Sequence, residues 1–404
     1  MASLSRRRCL APFDVLVVGG NGRVGASTVR WLDRLSRRSA EGLPPLRLAI
    51  AGRSAASFEL AKKRLDLDDL VFVPVDLDGD RATVSAAVRA AQLVVHTAGP
   101  FQGRSDPHLL RACIAAGVPY CDVCDELRLS RNARALSAEA AEAGVPAVVS
   151  CGIWPGVSAL MAALAVEKLG GTASCDSLEL SFYTAGTGGA GPTIVSATFL
   201  LLATAVAAYE NGLPKARTPW TERRLVDFGA GVGVQPCFLL DNPDVFAIVD
   251  ALGVANCASR FGTAPRVWNT LFGAMKVLPV NLLRNRKAMQ SFAQFSMPII
   301  RAVDALVGST NAMRVDAYRR SDDKNATPEK VTLRCVHPDL EDCVGLATAA
   351  FALEILRGRV GDVSNKPTIA PGVWFPTELK SDARNNILRL AKEETLLWEM
   401  GEAD

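Results

Sequence analysis

Along the first 150 residues, apolar positions gather into short unbroken blocks. These are FDVLVV (13–18), LRLAIA (46–51), VFVPV (71–75), QLVVHTA (92–98), VPYCDV (118–123) and VPAVVS (145–150). Blocks this short, rich in β-branched residues, predict strands buried on both faces. Between them the apolar residues recur at helical spacing. In 23–38, for example, Val24, Val29, Leu32 and Leu35 share a core-facing stripe. Further helices are predicted at FELAKKRL, RATVSAAVRAA, PHLLRACIAAG and SRNARALSAEAAEAG. Strict alternation of strand and helix predicts a parallel sheet with helices on both faces, and six strands match the doubly wound dinucleotide-binding α/β fold.

After Cys151 the rhythm changes. A helix is expected after Pro155, a strand at SLELSFYTA, a glycine-rich loop at GTGGAGPT and an apolar helix over 193–209. That last run is short of the ~20 residues a membrane-spanning helix needs, so a core or interface helix is expected. Residues 211–330 read as irregular, rich in Pro, Gly and Arg. Two strands, MRVDAYRR and KVTLRCVHP, are expected to form a hairpin across SDDKNATPE. A helix at EDCVGLATAAFALEILRG, the stretch PGVWFPTEL and one more helix complete the chain. The expected organisation is α/β: a doubly wound Rossmann domain over 12–150, a second α+β domain over 151–340, and C-terminal helices over 341–404 that pack back on the first.

The turn between the first strand and first helix, GGNGRVG, is where the pattern becomes chemistry. Gly20, Gly22 and Gly25 fit G-x-G-x-x-G, and Gly19, Gly22 and Gly25 fit a wider spacing. A phosphate reaches a helix N-terminus only where side chains leave the amides bare; the last glycine lets helix and sheet approach. Gly19, Gly20, Asn21, Gly22, Arg23, Val24 and Gly25 are the candidate diphosphate cradle; the bland alternative is a tight turn without a ligand.

The second strand ends AIAGRS. An acid here would hold the ribose hydroxyls of NAD, whereas this chain has Arg53 beside Ser54. A guanidinium can grip a 2′-phosphate that an acid would repel, so the expected cofactor is NADP. The alternative for Arg53 is a solvated surface residue. Asp76 is either an adenine contact or a turn residue. In TAGPFQ, the small Ala98 and Gly99 admit a ribose, Pro100 stiffens the turn, and Phe101 is placed to wall a nicotinamide.

Composition narrows the partners. With 45 basic and 42 acidic residues the charge is +3, too balanced to imply nucleic acid. Ten cysteines without a secretory signal suggest a reducing compartment. Cys121 and Cys124 have C-x-x-C spacing, but no second pair and no neighbouring histidine, so no metal is expected. The segment MASLSRRRCLAP has Ser and Arg and no acid; it reads either as a stub of a transit peptide or as a solvated arm, leaving cytoplasm or plastid open.

VVGGNGRVG (17–25), AGR (51–53), HTAGPFQ (96–102), YCDVCDE (120–126) and GIWPGVSALMA (152–162) together resemble the saccharopine dehydrogenase-like family of NADP-binding oxidoreductases. FYTAGTGGAGPTI, RFGTAP and PGVWFP resemble its plant and algal branch. The resemblance implies a Rossmann domain followed by a mixed α/β domain with an active site between them. It implies cofactor contacts at Gly19, Gly20, Gly22, Arg23, Val24, Gly25, Arg53, Ala98, Gly99, Pro100 and Phe101. It leaves the substrate open.

No catalytic residue is identified. Asp122, Cys124, Asp125 and Glu126 are either proton relays or helix caps. Tyr183 is a donor or core filler, His96 reads as a core histidine, and His337 sits at a strand end. A dicarboxylic amino acid would require converging cations, for which Arg223, Arg224, Arg260 and Arg266 are candidates. The loop GTGGAGPT is a second possible anion contact or a linker.

The expected function is an NADP(H)-dependent oxidoreductase acting on a C=N, C=O or C=C bond of a small molecule. The alternatives are a catalytically silent NADP-binding sensor or scaffold, or a membrane-peripheral reductase of a lipid or isoprenoid. The stretch WNTLFGAMKVLPVNLLRNRK (268–287) motivates the last. A homodimer is also open.

Overall fold

The computed structural model describes residues 11–38, 44–186, 191–321, 329–360 and 366–401. Most of the Arg-rich N-terminal segment, residues 187–190 of the GTGGAGPT loop and the connection SDDKNATPE from 322 to 328 lie outside the described residues. The chain divides into two compact units, Met1–Val157 with Val344–Ala391, and Ser158–Cys343 with Lys392–Asp404.

The first unit is the expected doubly wound α/β fold. Its strands are β1 (Phe13–Val18), β2 (Leu48–Gly52), β3 (Val71–Pro74), β4 (Ala91–His96), β5 (Tyr120–Asp122) and β6 (Pro146–Val148). They run parallel in the order 3-2-1-4-5-6, with helices α1 (Arg23–Ser36) to α6 (Ser137–Glu142) in the connections. Val15, Leu16 and Val17 of β1 are fully buried, as a strand covered on both faces requires. A seventh strand, β15 (Gly372–Trp374), extends the sheet beyond β6 in parallel register. It comes from PGVWFPTEL, too short a run for apolar periodicity to reveal. Two late helices, α13 (Leu340–Leu356) and α14 (Ser381–Ala391), complete this unit, α13 from Val344 onward. Gly345 of α13 lies directly on Ser27 of α1, where an added Cβ would come 2.6 Å from Ser27 Cβ. The late segment therefore backs the helix that follows the glycine turn.

The second unit is built on a mixed sheet, following helix α7 (Val157–Lys168). Its main path is β10 (Arg224–Asp227), β11 (Val234–Leu239), β12 (Asn256–Ala264), β7 (Cys175–Ala185), β13 (Thr310–Arg319), β14 (Lys330–His337) and β16 (Leu397–Glu399). Among the described residues only β12 and β7 pair in parallel along this path; the β13–β14 hairpin is as expected.

Two expectations fail here. The apolar run 193–209 is not one helix: α8 (Pro192–Leu201) stops, and β8 (Val206–Glu210) turns back into β9 (Leu213–Arg217). The signal was present in ENGL. Asn211 and Gly212 both have positive φ, 52° and 77°, as a two-residue Asn-Gly hairpin turn requires. Nor is 211–330 irregular. It holds β9 to β12, α9 (Pro243–Leu252), α10 (Arg266–Met275), α11 (Val280–Leu283) and the 22-residue α12 (Arg286–Val307). In α12, Met289, Ala293, Met297 and Ile300 form a buried stripe at helical spacing, which Pro298 and the surrounding arginines obscure in the sequence. Among the described residues no helix is long and apolar enough to cross a membrane.

Candidate functional site

The carboxyl ends of β1, β2 and β4 lie side by side, and the structure brings most of the predicted residues to this rim. Gly19 leaves β1 with φ of 87°, and a Cβ there would stand 2.6 Å from the Ala98 backbone nitrogen. Only glycine fits between the ends of β1 and β4. Gly25, inside α1, faces the Gly19 carbonyl and sits so close to Thr97 that a Cβ would come 2.6 Å from its Oγ1. The turn closes through Gly22 N–H donating to Gly19 O at 2.9 Å.

Helix α1 begins at Arg23 with Gly22 as its N-cap. No side chain caps it, and no acid stands in its first turn. Its leading amides thus keep the partial positive charge that draws anions. Asn21 donates through Nδ2 to Ser54 O at 3.3 Å, tying this turn to the end of β2. Its Oδ1 is buried without a hydrogen-bond partner among the described residues. Val24 is half-buried, and its carbonyl accepts from Thr28 Oγ1 at 2.9 Å.

Arg53 stands exposed at the end of β2, and Ser54 is the N-cap of α2 (Ala55–Leu65), accepting from Ser57 N–H. Asp76 is a turn residue: its carboxylate accepts from Asp78 N–H at 3.1 Å. Beside it is a cation the sequence reading missed. Arg104 forks onto Asp78 at 3.1 and 3.2 Å. It holds the Asp78 carboxyl below its usual range, with smaller contributions from His108 and Arg53. Arg53 and Arg104 therefore share one neighbourhood on this rim.

Thr97 was also missed. It anchors the end of β4 to β1 by donating from both N–H and Oγ1 to Val18 O, at 2.8 and 3.0 Å. Gly99 and Pro100 follow, exposed and joined by a cis peptide. Phe101 turns inward instead of lying open. It is buried against Cys124 and Leu129, with its ring 5.0 Å from that of His96.

The acidic cluster after β5 has structural duties. Glu126 caps helix α5 (Leu127–Arg134) through Arg128 N–H and also accepts from Gly103 N–H at 2.8 Å. Asp125 accepts from Gln102 Nε2 at 2.6 Å. Both carboxylates thus fasten the loop after β4. Asp122 is buried and accepts from Tyr120 Oη, Cys124 N–H and Ser150 N–H, at 2.9, 3.0 and 2.7 Å. Burial nevertheless pushes its carboxyl up to about 6. Tyr120 Oη also meets His96 Nδ1 at 3.0 Å. Since the Tyr120 proton goes to Asp122, His96 donates from Nδ1. Burial drives its imidazole down to about 3, and Nε2 has no partner among the described residues. Cys121 and Cys124 are buried free thiols, and no cluster of three possible metal ligands occurs among the described residues.

In the second unit, Tyr183 fills core against Phe228, and burial raises its hydroxyl to about 12. His337 is buried, with Nδ1 turned to the Asp339 backbone. Arg260 and Arg224 do converge, but on Glu179 of their own sheet; Arg260 reaches Glu222 as well. Arg223 and Arg266 are exposed elsewhere.

Residues 15–148 match the family described as the saccharopine dehydrogenase NADP binding domain. Two curated relatives, from two strains of Mycobacterium tuberculosis and provisionally named trans-acting enoyl reductases, are each 32% identical over 142 residues. That stretch is 35% of this chain, and the chain spans only about a third, 32%, of the length of those relatives. Saccharopine dehydrogenase (L-Glu forming) of Saccharomyces cerevisiae has a similar fold, with a TM-score of 0.61 at 12% identity over 94% of this chain and 97% of that one. Over residues 15–148 the chain is thus similar to the saccharopine dehydrogenase NADP binding domain, which supports NADP as its cofactor.

Proposed function

We propose that the protein is an NADP(H)-dependent oxidoreductase that reduces a carbon–carbon double bond of a small enoyl substrate. The observation that carries the reading is the rim of the first unit. There, an uncapped helix start, a turn whose Gly19, Gly20 and Gly25 leave no room for a side chain, and an unpartnered buried Asn21 Oδ1 come together. These features fit a diphosphate. Gly19 to Gly25 would hold it on the α1 amides, and Arg53, with Ser54 beside it, would take the 2′-phosphate. Among the described residues Arg53 makes no ion pair that would compete. Asp76 is committed to its own turn and shapes the adenosine side only indirectly. Ala98, Gly99 and Pro100 would border the nicotinamide, with Phe101 supporting that loop from beneath.

Bound NADPH supplies the hydride; the chain's part is to orient it, exclude water and deliver a proton. The choice of a C=C bond over C=N or C=O is supported by the names of the mycobacterial relatives, which match over this unit alone. The test is NADPH oxidation followed by absorbance with enoyl thioesters, imines and aldehydes in parallel, alongside fluorescence titration with NADPH and NADH. Turnover confined to enoyl compounds is expected, with NADPH bound more tightly than NADH. Equal affinity for both would remove the role given to Arg53. Tight NADPH binding without turnover of any class would leave a cofactor sensor as the better description.

A further inference from the structure

The second unit carries an apolar surface that its own core does not use. Helix α12 has two apolar stripes. The first, Met289, Ala293, Met297 and Ile300, is buried with Val195 and Phe199 of α8. The second runs through Phe295, Ile299 and Leu306, spaced by four and seven residues, and so forms one line roughly 120° around the helix from the first. It is open to solvent: Phe295 is 77% and Leu306 86% exposed. The preceding α10–α11 turn continues the theme. Val277 at its tip is 88% exposed, followed by exposed Leu278, Val280 and Leu282. Helix α11 packs against α12, so turn and helix belong to one structure. Scattered surface hydrophobes are ordinary; so many in one helical segment mark an interaction surface.

The charges identify the partner. Between 266 and 307 there are six basic residues and a single acid, Asp304, in a chain whose total charge is only +3. Lys276, Arg284, Arg286 and Lys287 make no ion pair with a described residue and stand beside the exposed turn. Protein interfaces deplete lysine at their apolar centres. Aliphatic and aromatic tips flanked by long cationic chains instead suit a bilayer interface, where the tips enter the acyl boundary and the cations reach lipid phosphates. With no membrane-crossing helix among the described residues, such contact is peripheral.

We propose that α10–α12 form a docking surface for an anionic lipid membrane. This stands independently of the reductase reading. The test is flotation of the purified full chain with phosphatidylcholine vesicles and with vesicles that also contain phosphatidylglycerol. Binding to the anionic vesicles is expected to be at least tenfold stronger and to weaken with salt. The triple variant Lys276→Glu, Arg284→Glu, Lys287→Glu, and separately Val277→Ser with Phe295→Ser, should each lose about tenfold in binding. Melting temperature and NADPH affinity should stay unchanged, because every altered side chain lies at the surface of the second unit. A chain that stays with the soluble fraction in both lipids overturns the proposal, as do variants that float as well as the parent. A dimer that dissociates on Phe295→Ser would show that a second copy covers this face, and would equally overturn it.

Discussion

Arg53 of the first unit and the arginines of the second unit's sheet are used in opposite ways. At the rim of the first, Arg53 is exposed and makes no ion pair with a described residue, beside a helix start that no side chain caps. In the sheet of the second, three guanidinium groups are drawn inward and matched. Arg260 lies between Glu179 and Glu222, Arg314 forks onto Asp316 at 2.7 and 2.8 Å, and Arg334 bridges Glu399 and Asp227. A buried cation must have an internal partner, so its charge is spent within the fold; a rim cation keeps its charge for a ligand. Four arginines that looked like carboxylate receptors in the sequence therefore do not form one: two are consumed by Glu179 and two stand apart.

Breaking that contrast gives different outcomes on its two sides. Arg260→Ala should unfold easily, losing roughly 3 kcal/mol because Glu179 and Glu222 lose a buried partner; chemical denaturation measures it, and NADPH affinity of the folded fraction should not change. Gly22→Leu should do the reverse. Its φ of −70° suits any residue, and a Cβ would stand 3.2 Å from Gly19 O, so the melting temperature should fall only slightly. The side chain would obstruct the diphosphate, and NADPH affinity should fall about a hundredfold, or about 2.7 kcal/mol. Arg53→Ala should cost about tenfold in NADPH affinity and nothing in NADH affinity, since only the 2′-phosphate loses a charge-assisted contact. If Arg53→Ala lowers stability as Arg260→Ala does, the contrast fails.

The smallest effect concerns the buried trio His96, Tyr120 and Asp122. Asp122 titrates near 6 in the fold and near 3.8 unfolded, so the folded state holds its proton more tightly and stability from this group falls as pH rises from 4 to 6. His96 titrates near 3 folded and near 6.5 unfolded, so its contribution rises over the same interval. The two nearly cancel. Asp122→Asn should expose the His96 term, making stability climb by about 1.4 kcal/mol per pH unit between 4 and 6, measured by urea melts.

The first unit was largely legible because a strand buried on both faces must be a continuous apolar block, and the alternation of such blocks with helices admits few topologies. The glycine turn was legible because its function forbids side chains. The second unit was not. Its central strands β7, β12 and β13 pair across long sequence separations, and arginines such as Arg260 and Arg334, whose partners lie on other strands, interrupt the apolar pattern. The ENGL turn was a local signal, overridden by the apolar run before it. The roles of Asp125 and Glu126 were readable only in part. Capping of α5 by Glu126 follows from position, but the clasp on Gln102 and Gly103 joins residues more than twenty apart.

By itself the sequence determined the doubly wound order, the bare helix start and the preference for NADP, because these depend on residues adjacent along the chain. The tertiary structure alone decided that β15 extends the first sheet, that Phe101 turns inward, that Arg104 joins the Arg53 rim, and that one face of α12 is left open. Each depends on which distant segments meet, and side-chain contacts between them are set by packing, which no local pattern encodes.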